Sequence, residues 1–322
     1  LVGPKPHRPQ HAPMGKKGKQ GRGDSHTHPE VGGPAPAPAI KSPDEPCPPG
    51  CVRFVCISDT HGAHGKIPRL PEGHVLLHAG DFTQTGQGRQ VESFERWLSS
   101  LPYQHRVVIA GNHDITFQPE FYRANWDRFH RPMEDPEAVR SILAESPNLT
   151  YLEDSGAEFY GLKVFGSPWQ PAFCDWAFNL PRGQPCVEAW QRIPEGTDVV
   201  MTHGPPAAHG DRTLSGYSAG CEHLLHRVRR LKPAFHVFGH VHEGYGATSD
   251  GTTTFINAST CTLKYQPSNA PLVFDLPARD PDGLEPLPGH LVRYFAQDAA
   301  AATLGEGPVS GPPMQAGAQG CS

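Results

Sequence analysis

The sequence predicts an α/β fold, and three observations carry that prediction. Short apolar runs rich in β-branched residues recur along the chain, and glycine or a polar cluster follows several of them. Amphipathic segments with a helical period lie between some of these runs. No period of ~20 to 50 residues recurs, so the chain is not predicted to be a repeat protein.

Ten of the runs predict strands, because each is short, apolar and bounded by turn residues. In chain order they cover residues 52–57, 74–78, 107–110, 149–152, 158–160, 162–165, 199–201, 235–238, 252–256 and 272–276.

Three segments predict helices: residues 90–101, 138–144 and 221–231. The first places its apolar side chains on one stripe, and the third is amphipathic and precedes a strand, as expected of a crossover helix. Residues 117–137 are aromatic and charged, with prolines that break any long helix, and they are interpreted as an insertion that walls a site.

Composition predicts one domain over residues 50–296 between two disordered tails, residues 1–49 and 297–322. The hydrophobic content of the 322-residue chain is 37%, below the usual ~45–50%, and proline and glycine concentrate at the ends. The run Gly86-Gln87-Gly88 resembles the start of a dinucleotide fingerprint, but Val91 holds the third glycine position. No nucleotide cofactor is therefore predicted.

Charge and hydropathy predict neither a membrane nor a nucleic-acid partner. The net charge is −5, and no apolar run approaches the ~20 residues of a membrane helix. A basic stretch at residues 15–22 leaves nucleic-acid binding by the tail as an alternative. The eight cysteines are scattered, and several lie in apolar runs, which favours free thiols and a cytoplasmic location.

Polar clusters follow five of the predicted strands, where ligands collect in open α/β sheets. The clusters contain Asp59 and His61, then Asp81, then Asn112, His113 and Asp114, then His203, and last His240 and His242. So many polar groups can be buried together only with a metal or with mutual pairing. The sequence therefore predicts one dinuclear metal site, although any one of these histidines alone is more often a surface or core residue.

The order D-x-H, GD, GNHD, H and GHxH resembles the calcineurin-like metallophosphoesterases. Residues 166–171, 178–183, 243–246 and 257–271 look more closely like the metallophosphoesterase-domain-containing subfamily. The resemblance covers roughly residues 51–276, and five blocks in family order are far more specific than a lone D-x-H.

The resemblance implies a four-layer α/β/β/α sandwich and a ligand set for each metal ion. Asp59, His61, Asp81 and His242 would bind one ion, and Asp81, Asn112, His203 and His240 would bind the other, with Asp81 as the bridge. Oxygen and imidazole donors without thiolate favour two divalent transition-metal ions. Mn²⁺ is the first expectation, with Fe or Zn²⁺ as alternatives.

The implied activity is hydrolysis of a small phosphate ester by attack of metal-activated hydroxide, with 3′,5′-cyclic nucleotides as the expected phosphodiesters. His113 is implied to face the substrate and to protonate the leaving group, because imidazole titrates near neutral pH. Asp114 is assigned the orientation of His113.

Two alternatives stay open: a phosphomonoesterase, and a scaffold that keeps the fold but turns over slowly. The presence of both His240 and His242 favours catalysis over the scaffold. No arginine lies within the five blocks, so the anion clamp common in monoesterases is not evident.

Some residues have two possible roles. Trp169, Phe173, Trp176 and Tyr245 could stack a nucleobase, although aromatic residues beside prolines more often pack the core. Histidines without motif support are expected in the core or on the surface: His64, His78, His105, His209, His223 and His236. His209 is the best exception, because it lies near His203 on a site loop.

Overall fold

The structure is a computed structural model that describes residues 35–36 and 40–287. The expected C-terminal tail, and the expected N-terminal tail apart from residues 35–36 and 40–49, lie outside the described residues. Where the N-terminal stretch is described, Ala35–Pro36 pairs with a strand, and the Lys41 N–H donates to the Val273 carbonyl at 2.8 Å. Sheet contacts thus occur before residue 50.

The strands of the described residues are β1 Ala35–Pro36, β2 Cys51–Ile57, β3 Val75–His78, β4 His105–Val108, β5 Thr150–Tyr151, β6 Ser155–Phe159, β7 Leu162–Ser167, β8 Gln170–Pro171, β9 Asn179–Leu180, β10 Val199–Thr202, β11 Phe235–Phe238, β12 Gly246–Ser249, β13 Thr254–Asn257 and β14 Leu272–Pro277. The α-helices are α1 Gly88–Ser100, α2 Pro119–Asn125, α3 Pro136–Ala144, α4 Gln184–Gln191 and α5 Glu222–Leu231. Short 3₁₀ helices cover His64–Lys66, Ile115–Phe117, Trp126–Arg128 and His242–Gly244.

Two large sheets form the centre of the fold. One sheet has the order β14-β2-β3-β4-β5, in which the β2-β3-β4-β5 pairs are parallel and β14 is antiparallel. The other has the order β1-β12-β13-β11-β10-β7-β6, with parallel pairs from β13 to β7 and antiparallel pairs at its edges. The strands β8 and β9 form a separate parallel pair.

The side chains of the two sheets alternate between three cores. On β2, Phe54 and Cys56 face the core between the sheets, whereas Val55 and Ile57 face the core shared with α1 and α3. The third core lies between the seven-stranded sheet, α4 and α5. Each fully buried large apolar side chain stabilises the fold by roughly 1.5–3 kcal/mol. Helix, sheet, sheet and helix layers result, and the predicted α/β fold is confirmed.

Both helices that the sequence predicts in the first half of the chain form, as α1 and α3. Val91, Phe94 and Leu98 of α1 are buried on one stripe. α3 begins two residues before its predicted start, because Pro136 occupies its first turn, where proline is tolerated. The Asp135 carboxylate accepts the N–H of Glu137 at 3.1 Å and thereby caps that turn. None of the helices that the structure describes is long and apolar enough to cross a membrane.

Candidate metal centre

The polar clusters meet at the carboxyl ends of both sheets. Asp59 and His61 follow β2, Asp81 follows β3, and the run 111–114 follows β4. From the other sheet, His203 follows β10, and His240 and His242 follow β11. Every residue that the resemblance assigned to the site is therefore brought to one place in the fold.

The first ligand cluster consists of Asp59, His61 and His242, whose ligand atoms lie within 4.8 Å of one another. His242 Nε2 lies 3.3 Å from Asp59 Oδ1 and 3.2 Å from His61 Nε2. His61 Nε2 also lies 3.8 Å from Asp81 Oδ2, which links this cluster to the next.

The second ligand cluster consists of Asp81, His203 and His240, with ligand atoms again within 4.8 Å of one another. His203 Nε2 lies 3.3 Å from Asp81 Oδ2 and 3.0 Å from Asn112 Oδ1. Asp81 is close to both clusters, as a bridging carboxylate has to be.

Backbone carbonyls set the orientation of two imidazoles. His203 Nδ1 lies 2.9 Å from the Ala79 carbonyl, and His242 Nδ1 lies 3.1 Å from the Thr262 carbonyl. A carbonyl can only accept, so both Nδ1 atoms carry hydrogen and both Nε2 atoms face the clusters. Metal-ligating histidines are commonly held by such outer contacts.

The backbone of the site is strained at four residues of these clusters. Asp59, His61, Asp81 and His240 have φ values of 51°, 44°, 55° and 67°, in the left-handed region that side chains other than glycine disfavour. Such conformations each cost of order 1–3 kcal/mol and concentrate at functional sites. All four residues contribute donor atoms to the two clusters.

The electrostatics of the clusters favour added positive charge. Burial alone lowers the pKa of His203, but the neighbouring Asp81 carboxylate outweighs it and raises that pKa to about 9. Burial alone raises the pKa of Asp59, but the His242 imidazole lowers it below the usual range. The buried carboxylates thus stabilise cations beside them.

The donor set fits two divalent metal ions. It combines two carboxylates, one amide oxygen and imidazole nitrogens without thiolate, which suits borderline metals such as Mn²⁺, Fe or Zn²⁺. The His61 and His242 Nε2 atoms, 3.2 Å apart, share one space with Asp59 Oδ1. A cation in that space would satisfy all three donors.

A family model for calcineurin-like phosphoesterases matches residues 52–244. The chain belongs to this family.

Among curated proteins, metallophosphoesterase domain-containing protein 1 of Homo sapiens and that of Mus musculus are each 50% identical to the chain over 244 residues, which are 73% of this chain and 74% of the relative. The UPF0046 protein T07D4.2 of Caenorhabditis elegans is 43% identical over 246 residues, 73% of this chain and 62% of that protein. These relatives confirm the metallophosphoesterase-domain-containing subfamily that the sequence predicts. The protein is thus a member of a family of metal-dependent hydrolases of phosphate esters.

His113 lies at the edge of the phosphoesterase site. Its ligand atom belongs to a third cluster with those of His61 and Asp81, all within 4.8 Å of one another. The Asp81 carboxylate accepts its backbone N–H at 2.8 Å. Its Nδ1 lies 2.9 Å from the Gln84 carbonyl and therefore carries hydrogen, which leaves Nε2 to exchange a proton in the site.

Asp114 has a different role from the one predicted. Its carboxylate accepts the Gly111 N–H at 2.8 Å, the Thr83 N–H at 2.9 Å and the Thr83 hydroxyl at 2.7 Å. It therefore ties two site loops together, while the Gln84 carbonyl orients the His113 ring. Burial, and then the charge of Asp81, raises the pKa of Asp114 to about 7.

Three aromatic side chains surround the histidines. The Phe173 ring centroid lies 5.8 Å from that of His240, and the Trp176 ring lies 4.2 Å from that of His113. The Tyr265 ring lies 4.9 Å from His61, and Phe173 and Tyr265 are about half exposed. Tyr265 is not among the aromatic residues that the sequence predicts at the site. We call Phe173, Trp176 and Tyr265 the aromatic rim.

The other two aromatic candidates have structural contacts. Trp169 Nε1 donates to Asp154 Oδ2 at 2.9 Å and packs edge-on against Phe178. The Tyr245 hydroxyl donates to the Ala270 carbonyl at 2.7 Å. Trp169 also packs against two of the cores, which matches the core-packing alternative, whereas Tyr245 is partly buried outside the three cores.

Several histidines without motif support also have structural partners. The His209 ring stacks on Phe255 at 3.7 Å, and its Nδ1 lies 2.8 Å from the Thr248 hydroxyl. His236 Nε2 lies 2.8 Å from the Thr202 hydroxyl, inside the core. Neither belongs to a metal-competent cluster of the described residues.

Proposed function

We propose that this phosphoesterase hydrolyses phosphodiesters, with 3′,5′-cyclic nucleotides as its substrates and two Mn²⁺ ions as its cofactors. The observation that supports this most is the complete donor set around Asp81, with His113 directed into the same space. Asp59, His61, Asp81 and His242 form the proposed first ligand set. Asp81, Asn112, His203 and His240 form the second.

The ligands leave the loaded site positively charged. Two divalent ions bring four positive charges, and Asp59 and Asp81 remove two, since histidine ligands are neutral. A phosphodiester monoanion is attracted to such a site even though the whole chain carries −5. When bound, the metal pair supplies Lewis acidity, which activates water and neutralises charge on the phosphoryl oxygens.

His113 is the proposed general acid. Opening a 3′,5′-cyclic phosphate expels a sugar alkoxide, which is strongly basic and needs a proton. The Gln84 carbonyl holds hydrogen on His113 Nδ1, so the imidazole can deliver a second proton from Nε2. Such a contribution is typically worth ~10²–10⁴ in rate.

The lack of a basic clamp favours diesters. In the described residues, the hydrogen bonds and ion pairs of the ligands and of His113 involve neither arginine nor lysine. A monoester dianion has a third free oxygen, which such a cation usually binds. A diester has only two free oxygens and needs no clamp.

The aromatic rim supports a nucleotide rather than a small alkyl ester. Phe173 and Tyr265 present apolar faces to solvent beside the ligand clusters, and a nucleobase stacks on such faces for ~1–3 kcal/mol per base. We expect Phe173→Ala to raise KM for cyclic AMP more than KM for a dialkyl phosphate.

The cytoplasm is the proposed compartment of this phosphoesterase. Cys56, Cys221 and Cys261 are buried free thiols, which a reducing compartment maintains.

A panel of substrates tests the proposal. kcat/KM should be measured for cyclic AMP, cyclic GMP, the two 5′-monophosphates and bis-p-nitrophenyl phosphate, with Mn²⁺, Fe²⁺ and Zn²⁺ in turn. Cyclic nucleotide turnover that is highest with Mn²⁺ would support it. Monoester turnover at least tenfold above diester turnover, about 1.4 kcal/mol of transition-state preference, would overturn it.

A further inference from the structure

The Gln84 carbonyl that holds the His113 ring lies on a loop, residues 83–87, between β3 and α1. Two contacts fix the C-terminal part of this loop at Gly86. The Gly86 N–H donates to the Thr83 hydroxyl at 2.8 Å, and the Thr116 hydroxyl donates to the Gly86 carbonyl at 2.7 Å. The Gln84–Thr85 peptide, whose carbonyl lies against His113, has other hydrogen-bond partners.

His130 holds the next peptide, between Thr85 and Gly86, through its carbonyl. It is 2% exposed, and its Nε2 lies 2.7 Å from the Thr85 carbonyl. The N–H groups of Gln84 and Thr85 make only long contacts, both 3.3 Å, to the Gln90 side chain. The shortest hydrogen bond to Gln84 or Thr85, besides the one to His113, is therefore the bond from His130.

The partners of His130 indicate where hydrogen lies on its ring. The Thr85 carbonyl can only accept, so His130 carries hydrogen on Nε2. The Glu134 N–H donates to the Tyr122 hydroxyl at 2.9 Å, and that hydroxyl lies 2.8 Å from His130 Nδ1. With hydrogen on Nε2, a neutral His130 offers Nδ1 only as an acceptor, so the Tyr122 hydroxyl donates to it and both ring nitrogens are satisfied.

We propose that His130 is a positioning residue for His113, which it orients through Thr85 and the carbonyl of Gln84. Fixing that carbonyl keeps hydrogen on His113 Nδ1 and keeps Nε2 directed at the leaving group. A displacement of about 1 Å at a reacting group can cost ~10²-fold in rate. The inference rests on the proposed function only in that it takes His113 as the general acid.

The insertion at residues 117–137 acquires a specific role from this chain of contacts. It supplies Tyr122 from α2, His130 from the segment after the 3₁₀ helix Trp126–Arg128, and Glu134. The Glu134 carboxylate also accepts the Gly88 N–H at 2.7 Å, at the first residue of α1. The insertion therefore holds this loop at Thr85 and at its junction with α1.

Three variants separate positioning from folding. His130→Phe removes both hydrogen bonds of the ring, and Tyr122→Phe removes only the hydroxyl that supports it. His130→Gln is the conservative control, because its amide N–H can donate to the Thr85 carbonyl and its oxygen can accept from Tyr122. Metal content and melting temperature should be recorded for each variant.

The kinetic prediction is a selective loss. His130→Phe should lower kcat for cyclic AMP by about tenfold or more, and kcat for bis-p-nitrophenyl phosphate by less than about threefold, with KM unchanged. His130→Gln should stay within about threefold of wild type on both substrates. An equal loss on both substrates at unchanged metal content would contradict a role through the general acid.

A second readout does not depend on turnover. In Zn²⁺-loaded, ¹⁵N-histidine-labelled protein, the His113 nitrogens should report hydrogen on Nδ1 in wild type and a mixture of tautomers in His130→Phe and Tyr122→Phe. Unchanged His113 shifts in both variants would overturn the proposal. If wild type turns over no cyclic nucleotide, the proposed function fails, while this measurement still decides the role of His130.

Discussion

The backbone N–H of His240 lies 3.0 Å from both carboxylate oxygens of Asp59, although 181 residues separate them. Asp59 Oδ2 also accepts the Ser259 hydroxyl at 3.0 Å. One carboxylate therefore joins the end of β2 in one sheet to the end of β11 in the other, in addition to its proposed role as a metal ligand.

Asp59 variants should separate these two roles. Asp59→Asn keeps an oxygen that accepts the His240 N–H, whereas Asp59→Ala leaves this buried donor without an acceptor; the Ser259 hydroxyl can still donate to Asn257 Oδ1. Since each such loss costs ~1–3 kcal/mol, we expect Ala to lower the free energy of unfolding by about 2 kcal/mol more than Asn. Urea titrations in EDTA measure this difference. Equal stabilities would show that the cross-sheet hydrogen bonds contribute nothing.

Asp81 should control metal content. We expect wild type to bind about two ions per chain and Asp81→Asn to lose at least one, because Asp81 lies close to both clusters. Elemental analysis of purified protein gives the stoichiometry. Asp154→Asn is the control, since that carboxylate bonds Ser167 and Trp169 and lies outside the metal-competent clusters of the described residues. Full occupancy with unchanged activity in Asp81→Asn would contradict the dinuclear site.

Removal of the His113 imidazole should lower kcat more for substrates with a basic leaving group than for nitrophenyl esters. His113→Ala should lower kcat for cyclic nucleotides by ~10²–10⁴ and kcat for bis-p-nitrophenyl phosphate by less than about tenfold, because nitrophenolate leaves without a proton. Metal content should stay near the wild-type value, since His113 lies outside both proposed ligand sets. Losses of equal size on both substrates would indicate that His113 positions the substrate instead of donating a proton.

Gly239 should not tolerate a methyl group. A Cβ at this position would overlap Asp59 Oδ2 and the Ser58 hydroxyl, so Gly239→Ala should lower the free energy of unfolding by ~1–3 kcal/mol or more and weaken metal binding. Gly65→Ala is the matched control, because nothing lies within 4 Å of its Cβ. We expect the control to stay within ~0.5 kcal/mol of wild type in urea unfolding. Equal effects of the two substitutions would refute the close approach.

Buried His236 should make stability depend on pH. Burial lowers its pKa from about 6.5 to about 3, so the unfolded chain binds a proton between these values that the folded protein does not. Its contribution to the free energy of unfolding therefore falls as pH drops below about 6.5, by ~1.4 kcal/mol per unit. His236→Gln lacks this titration. The stability difference between wild type and variant, in EDTA, should shrink from pH 7 to pH 5, and a constant difference would argue against the shift.

Much of the fold could be predicted because its signals are local. Strand β11 has its predicted bounds, and most other predicted strands overlap the observed ones within a few residues. The helices α2 and α4 escaped prediction because each begins at or beside a proline, which reads as a helix breaker but is tolerated in the first turn.

The clustering of the proposed metal ligands could be predicted because carboxylate and imidazole side chains at strand ends carry a chemical signal. The contacts that orient His113 could not be predicted from the sequence. Gln84 acts through its backbone carbonyl, which every residue possesses, and His130 reaches the loop across 45 residues of sequence. Asp114 was expected to orient its neighbour His113, but adjacent residues on this loop direct their side chains to different partners: Asp114 accepts from Gly111, and His113 contacts the Gln84 carbonyl.

The division of the proposed ligands between the two sheets has a consequence during synthesis. Asp59, His61, Asp81 and Asn112 come from the first half of the chain, whereas His203, His240 and His242 come much later. Neither proposed ion can complete its ligand set before residue 240 has left the ribosome. A chain released early would keep a partial, weak set, so stable metal loading marks a polypeptide that was translated through both halves of the site.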